Sequence, residues 1–144
     1  MTTLLTLRRS ELLADVADAA FVVADVEEDS VNAHRLHQTF DVCEEGNLHA
    51  TNRLIDLAFS EAALKLLPLS GGCKPQYGSE FLRLHLRLPA SVRHQLEEPL
   101  HRAVHEYIVA RILEERLAVT LPASRPEWER KSLSLSTLIS TLVA

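Results

Sequence analysis

One short segment of this sequence breaks the pattern of the rest. Within residues 82–88, leucines alternate strictly with polar residues. The leucines are Leu82, Leu84, Leu86 and Leu88, and between them stand Arg83, His85 and Arg87. Because successive side chains of a strand point to opposite faces, the alternation predicts a half-buried β-strand with a basic outer face. Such a strand needs a partner: residues 2–7, a hairpin arm in the 70s, or the same strand of another copy.

Elsewhere the apolar residues recur at helical spacing. The expected helices are residues 7–26, residues 31–45, a helix from a cap at Asn47 to a stop at Pro68, residues 90–119, and a last helix from Ser124 to about Val143. Pro99 either kinks the fourth helix or begins a new one. We therefore expect a mainly α protein, a bundle of about five helices with one small β element at about residues 80–88, forming a single helical domain over residues 1–144.

The spacing also predicts which helix faces are buried. The clearest set, in the third helix, is Leu48, Ile55, Phe59, Ala62 and Leu66. A central, well-buried helix should present Leu100, Val104, Tyr107, Ile108, Ile112 and Leu117. In the last helix the expected face is Leu135, Leu138, Ile139 and Leu142. Residues 68–78, dense in Pro, Gly and Ser, should form a loop of about ten residues.

Charge and cysteine usage narrow the class of protein. The net charge is −5, and residues 1–67 hold 12 acidic and 5 basic residues against 8 and 10 in residues 68–144. That polarity suits head-to-tail contact between copies. No signal peptide or membrane span is recognisable, and Cys43 and Cys73 lie far apart without a second pair. We expect a cytoplasmic protein with reduced thiols and no contact with a membrane.

No catalytic motif or cofactor-binding motif stands out. GxSxG is absent, and Gly71, Gly72 and Lys74 lack the spacing and the strand-to-helix context of a phosphate-binding loop. We therefore expect no catalytic residues, no cofactor and no enzyme activity.

The alternative is a metal-binding or small enzymatic helical bundle. His94, His101 and His105 would lie near one face of a continuous helix, and imidazoles at i and i+4 can chelate zinc or nickel. Pro99 between the first two histidines and the absence of HExxH weigh against this alternative.

The predicted strand gives a second candidate site, one for interaction. Arg83, His85 and Arg87, with Arg93 just beyond, form a basic row that suits an acidic protein surface, including the acidic half of another copy. Nucleic acid is a less favoured partner, because Tyr77 and Phe81 are the only aromatic residues close to the row in sequence.

Two segments and the element order carry a resemblance. The segments are Arg8-Arg9-Ser10-Glu11-Leu12-Leu13 and Val104-His105-Glu106-Tyr107-Ile108-Val109. The order of elements is helices, a strand, another helix and a final helix bearing Trp128. Over most of the chain this order resembles that of small helical proteins encoded by prophages, loosely of the phage head-tail connector (adaptor) class. The resemblance implies a non-enzymatic protein whose copies assemble, in the cytoplasm or in a virion. The expected function is a self-associating structural or protein-interaction module.

Overall fold

The structure is a computed structural model that describes residues 2–26, 45–120 and 122–143. The predicted strand is present as β3 (Phe81–Arg87), the middle strand of a three-stranded antiparallel sheet. On one side it pairs with β1 (Thr2–Arg8) and on the other with the short β2 (Gln76–Tyr77). Both partners proposed from within the chain are therefore used.

The register of the sheet places the leucines on one face. Leu82, Leu84 and Leu86 stand opposite Leu7, Leu5 and Thr3 of β1, and all six side chains are buried. The polar residues between the leucines lie on the outer face and are exposed. The alternation in the sequence thus predicted both the strand and its orientation.

The helices confirm a mainly α fold. They are α1 (Arg9–Val26), α2 (Glu45–Lys65), the one-turn α3 (Leu67–Ser70), α4 (Arg93–Thr120) and α5 (Arg125–Val143), with a 3₁₀ turn at Pro122–Ser124. The first helix begins at Arg9 rather than at residue 7, because β1 extends to Arg8. The helix predicted at residues 31–45 lies almost entirely outside the described residues.

The core is built around α4, which packs against α5, α2, α1 and β1. All six apolar residues predicted for a central helix are at most 4% exposed. Ile55, Phe59 and Ala62 of α2 are fully buried, as is Leu66 directly after that helix, which confirms the predicted face except at the partly buried Leu48.

One residue of the predicted face of α5 is misplaced. Ile139 is buried, and Leu135 and Leu142 pack against the core, but Leu138 is 44% exposed. Leu138 precedes Ile139 by one position and therefore lies about 100° away around the helix. The buried face of α5 is completed instead by Ser132 and Val143.

The segment predicted as a loop is more ordered than expected. Pro68 lies in the first turn of α3, where its fixed φ favours a helix, and Gly71 ends that helix in the left-handed conformation with φ of 60°. The strand β2 follows at Gln76. The loop is therefore interrupted by a helical turn and by a hairpin arm.

Pro99 does not divide α4, which runs without interruption through it. The ring removes the hydrogen bond that residue 99 would donate to Gln95, and both residues are exposed to water that can serve that carbonyl. None of the helices in the described residues is long and apolar enough to cross a membrane.

Candidate interaction surface

The outer face of the sheet brings together basic residues from two strands. Across the register, Arg8 stands opposite Phe81, Thr6 opposite Arg83, and Thr2 opposite Arg87. The side chains of Arg8, Arg83 and Arg87 are exposed, as is that of His85. The structure thus groups three of the four residues predicted for interaction and adds Arg8, which the pattern of β3 alone could not indicate.

Phe81 organises the guanidinium groups on this face. The Cζ atoms of Arg8 and Arg83 lie 5.4 Å and 5.0 Å from the centroid of its ring. Such cation–π contacts place both guanidinium groups against the same ring, on two residues that are exposed to solvent. Within the described part of the chain, no carboxylate forms an ion pair with Arg8, Arg83 or Arg87.

Arg87 lies beside the turn that follows α3. A Cβ atom added to Gly71 would lie 3.8 Å from the Cζ atom of Arg87, in ordinary van der Waals contact. Arg93 is placed differently: it starts α4, and its Nε atom lies 3.9 Å from the carboxylate of Glu97. It is not part of the strand's basic row.

The three histidines of the metal hypothesis have separate environments. His94 is exposed, His101 donates from Nε2 to the backbone carbonyl of Thr6 at 2.9 Å, and His105 donates from Nε2 to Asp15 at 2.5 Å. The rings of His101 and His105 lie 6.5 Å apart. Among residues that the structure describes, no three His, Cys, Asp or Glu side chains are grouped as metal ligands. Two of the histidines instead join α4 to β1 and α1.

A buried arginine that the sequence did not single out joins four elements. Arg9 donates from Nε to the carbonyl of Gly78 at 2.7 Å, and from its terminal nitrogens to Asn52 at 3.4 Å and Asp56 at 2.5 Å. Its backbone N–H donates to the carbonyl of Glu80 at 2.9 Å. Arg9 therefore fixes the junction of β1 and α1 against α2 and the β2–β3 hairpin, beside the basic face.

A second polar network joins α2, α4 and α5. Tyr107 donates to Glu61 at 2.8 Å, Arg111 contacts Glu61 and Glu114, and Ser132 donates to Glu114 at 3.0 Å. Arg111 Nη1 also lies 3.0 Å from Glu114 Oε2, which is nearly buried. The network satisfies polar groups that the three helices would otherwise bury without partners, so its role is structural.

This network shifts two pKa values. Burial, the hydrogen bond to Glu61 and the charge of Glu61 raise the pKa of the Tyr107 hydroxyl well above its ordinary value, while Arg111 opposes them in part. Burial alone would lower the pKa of Arg111, but its contacts with Glu115, Glu61 and Glu114 raise it instead. Both groups therefore keep their protons through the neutral range.

We expect stability to fall above about pH 10 because of Tyr107. In the unfolded chain its hydroxyl ionises near that pH, whereas in the folded protein it stays neutral, so rising pH favours unfolding by up to about 1.4 kcal/mol per pH unit. Urea unfolding at about pH 9 and about pH 11 measures this effect. Between the two pH values, the free energy of unfolding should fall less for Tyr107→Phe than for the wild-type protein. Equal losses would show that Tyr107 does not contribute to this pH dependence.

A groove of about 810 Å³ lies between α1, α4 and α5. Asp18 and Glu106 line it together with Arg130 and Trp128, and Lys131 lies 4.2 Å from the Trp128 ring. Charges of both signs are mixed along its length, so the groove indicates no particular class of ligand. Cys73, which is exposed, is a free thiol.

Comparisons of the chain with protein families, curated proteins and solved structures gave no match. The connector resemblance therefore stays a prediction from the sequence. The function has to be inferred from the geometry and charge of the described residues.

Proposed function

We propose that this chain is a non-enzymatic protein-interaction module that associates with itself. The basic outer face of the sheet, formed by Arg8, Arg83, His85 and Arg87, binds the acidic N-terminal half of another copy. The observation that carries this proposal is the grouping of three exposed arginines that lack a carboxylate partner among the described residues.

The acidic surface is available on the same chain. Glu11 and Asp18 lie seven positions apart on α1, which places them near the same side of that helix, and both are exposed. A contact between two different surfaces leaves a free acidic face on one copy and a free basic face on the other. Such head-to-tail contacts generate closed rings or open filaments. This architecture agrees with the assembly that the connector resemblance implies.

The first test is the double charge reversal Arg83→Glu with Arg87→Glu. We expect the wild-type protein to assemble at low salt and to dissociate as the salt concentration rises, because salt screens exposed charges. The variant should be a monomer under both conditions, measured by size-exclusion chromatography with light scattering. A wild-type protein that is monomeric at high concentration and low salt would contradict the proposal.

A matched control separates the sheet face from total charge. Arg102→Glu with Arg130→Glu makes the same change in charge at exposed positions on α4 and α5. This control should assemble like the wild type. If it also becomes monomeric, net charge and not the basic face governs assembly.

A mixing experiment tests the pairing itself. Glu11→Gln with Asp18→Asn removes the acidic surface and keeps the basic face, so this variant alone should be a monomer. Mixed with Arg83→Gln/Arg87→Gln, it should form a one-to-one dimer that grows no further, because only one compatible pair of faces remains. Failure of the mixture to pair would rule out α1 as the acidic surface.

A further inference from the structure

Among the described residues, the outer edge of β1 pairs with no other strand. The backbone N–H of Arg9 donates to Glu80, next to β3, so alternation directs the backbone groups of Leu7, Leu5 and Thr3 toward β3. The backbone N–H and C=O groups of Leu4 and Thr6 then point away from β3, toward the outer edge of β1. The hydrogen bond from His101 to the Thr6 carbonyl confirms that direction. The N–H and C=O of Leu4 therefore lie on the free edge.

This edge forms one wall of a groove of about 440 Å³, whose other wall is the first half of α4. His94, Glu97, Glu98 and His101 line the helical side. Apolar lining comes from Leu5, Leu86, Leu88 and Leu100. The His101 imidazole donates across the groove to the Thr6 carbonyl, whereas none of the described residues makes such a bond to the backbone of Leu4.

A buried hydroxyl in the same groove makes no hydrogen bond to the part of the chain that the structure describes. It belongs to Thr3, which lines the groove and is 5% exposed, and its Oγ1 atom is without a partner among those residues. A buried hydroxyl without a partner is unfavourable by about 1 to 3 kcal/mol, so native structures rarely leave one unsatisfied. A ligand with donor and acceptor groups in the groove would satisfy it.

The charge of the groove selects among ligands. Glu97 and Glu98 each have one arginine in reach, Arg93 and Arg102, and both separations are 3.9 Å. The Glu98 side chain is 85% exposed and that of Glu97 is 47% exposed. At that separation the pairs are loose, and a cationic side chain in the groove can approach either carboxylate more closely.

We propose that this groove binds an extended peptide segment carrying lysine or arginine, which pairs with β1 as a fourth strand. The Leu4 N–H and C=O bond the peptide backbone, apolar side chains contact the leucines, and a cationic side chain meets Glu97 and Glu98. Addition of a strand to an exposed sheet edge is an established mode of peptide recognition. The site is distinct from the basic outer face, so it extends the proposed function rather than depending on it.

The test uses a blocked synthetic peptide that alternates valine and lysine, titrated into the full chain and followed by NMR. We expect saturable shifts of the Leu4 and Thr6 amide signals. Two N-methylated forms of the peptide provide the control: methylation of the amides on one edge should weaken binding at least tenfold, and methylation on the other edge should leave it unchanged. A strand pairs through one edge only, so this asymmetry is diagnostic.

Variants of the chain test the same contacts from the other side. Leu4→Pro removes the outward N–H without removing a bond to β3, a position where edge strands tolerate proline. It should weaken binding at least tenfold, while Leu4→Ala, which keeps the N–H, should bind within about threefold of wild type, a tenfold loss being 1.4 kcal/mol. Glu97→Lys with Glu98→Lys should also weaken binding.

Three results would overturn this proposal. The first is the absence of amide shifts at saturating peptide. The second is equal binding of both methylated forms, which would mean that the groove holds side chains but no paired strand. The third is protection of the Leu4 amide without peptide, together with a dimer that persists in Arg83→Glu/Arg87→Glu, which would identify a second copy as the occupant. If Leu4→Pro fails to fold, binding of the two methylated peptides to the wild-type protein still tests whether the peptide pairs with β1.

Discussion

Replacement of Phe59 by alanine should lower the free energy of unfolding by about 3 to 5 kcal/mol. The ring is fully buried between α2 and the core, and it meets the Tyr77 ring edge-on, with centroids 5.8 Å apart. The substitution removes the apolar contacts and leaves a cavity that the surrounding helices fill only in part. Because Tyr77 belongs to β2, the β2–β3 hairpin should also exchange its amide protons faster.

Urea unfolding monitored by circular dichroism measures the loss. Leu57→Ala is the matched control, since Leu57 lies on the same helix and is 60% exposed. That variant should differ from wild type by no more than about 0.5 kcal/mol. Equal losses for the two variants would contradict the placement of Phe59 in the core.

Replacement of Arg9 by alanine should destabilise the fold by about 2 to 3 kcal/mol. The guanidinium group bonds Gly78 and Asp56 at short distances, and hydrogen bonds to charged groups contribute about 1.5 to 3 kcal/mol each. Asp56 is 43% exposed, so solvent screens that ion pair and its share is reduced accordingly. The variant also removes one of the links between the β2–β3 hairpin and α2.

Two companion variants sharpen this prediction. Arg8→Ala, at the exposed neighbouring position, should change stability by about 0.5 kcal/mol or less. Arg9→Lys keeps the charge but cannot contact Gly78, Asn52 and Asp56 together. Its free energy of unfolding should therefore fall by most of the decrease expected for Arg9→Ala. A stable Arg9→Lys protein would show that charge alone matters at this position.

The local patterns in the sequence predicted most of the fold. Strict alternation at residues 82–88 predicted the strand, its buried face and its exposed arginines, because side chains of a strand alternate between its two faces. The spacing of Ile55, Phe59 and Ala62 identified the buried side of α2, because residues three or four positions apart lie on the same side of a helix. Leu138 shows the limit of such reasoning: one position more or less moves a side chain about 100° around a helix.

The tertiary contacts of polar residues were beyond the sequence. Arg8 and Arg9 are adjacent and chemically identical, yet Arg8 is exposed beside Phe81 and Arg9 is buried against Asp56. Arg8 ends β1 and Arg9 begins α1, whereas the sequence placed the start of the helix at residue 7 and recognised the strand merely as one of three partners for β3. His101 and His105 likewise share a helix face, but the groups they contact belong to β1 and α1.

The pairing of β1 with β3 has a consequence for synthesis of the chain. Thr2 pairs with Arg87, so the strand leaves the ribosome long before its partner has been translated. Throughout that interval both edges of β1 are unpaired, and its leucines have no sheet to join. A nascent chain in this state is a substrate for chaperones, and its sheet closes only after α2 has emerged.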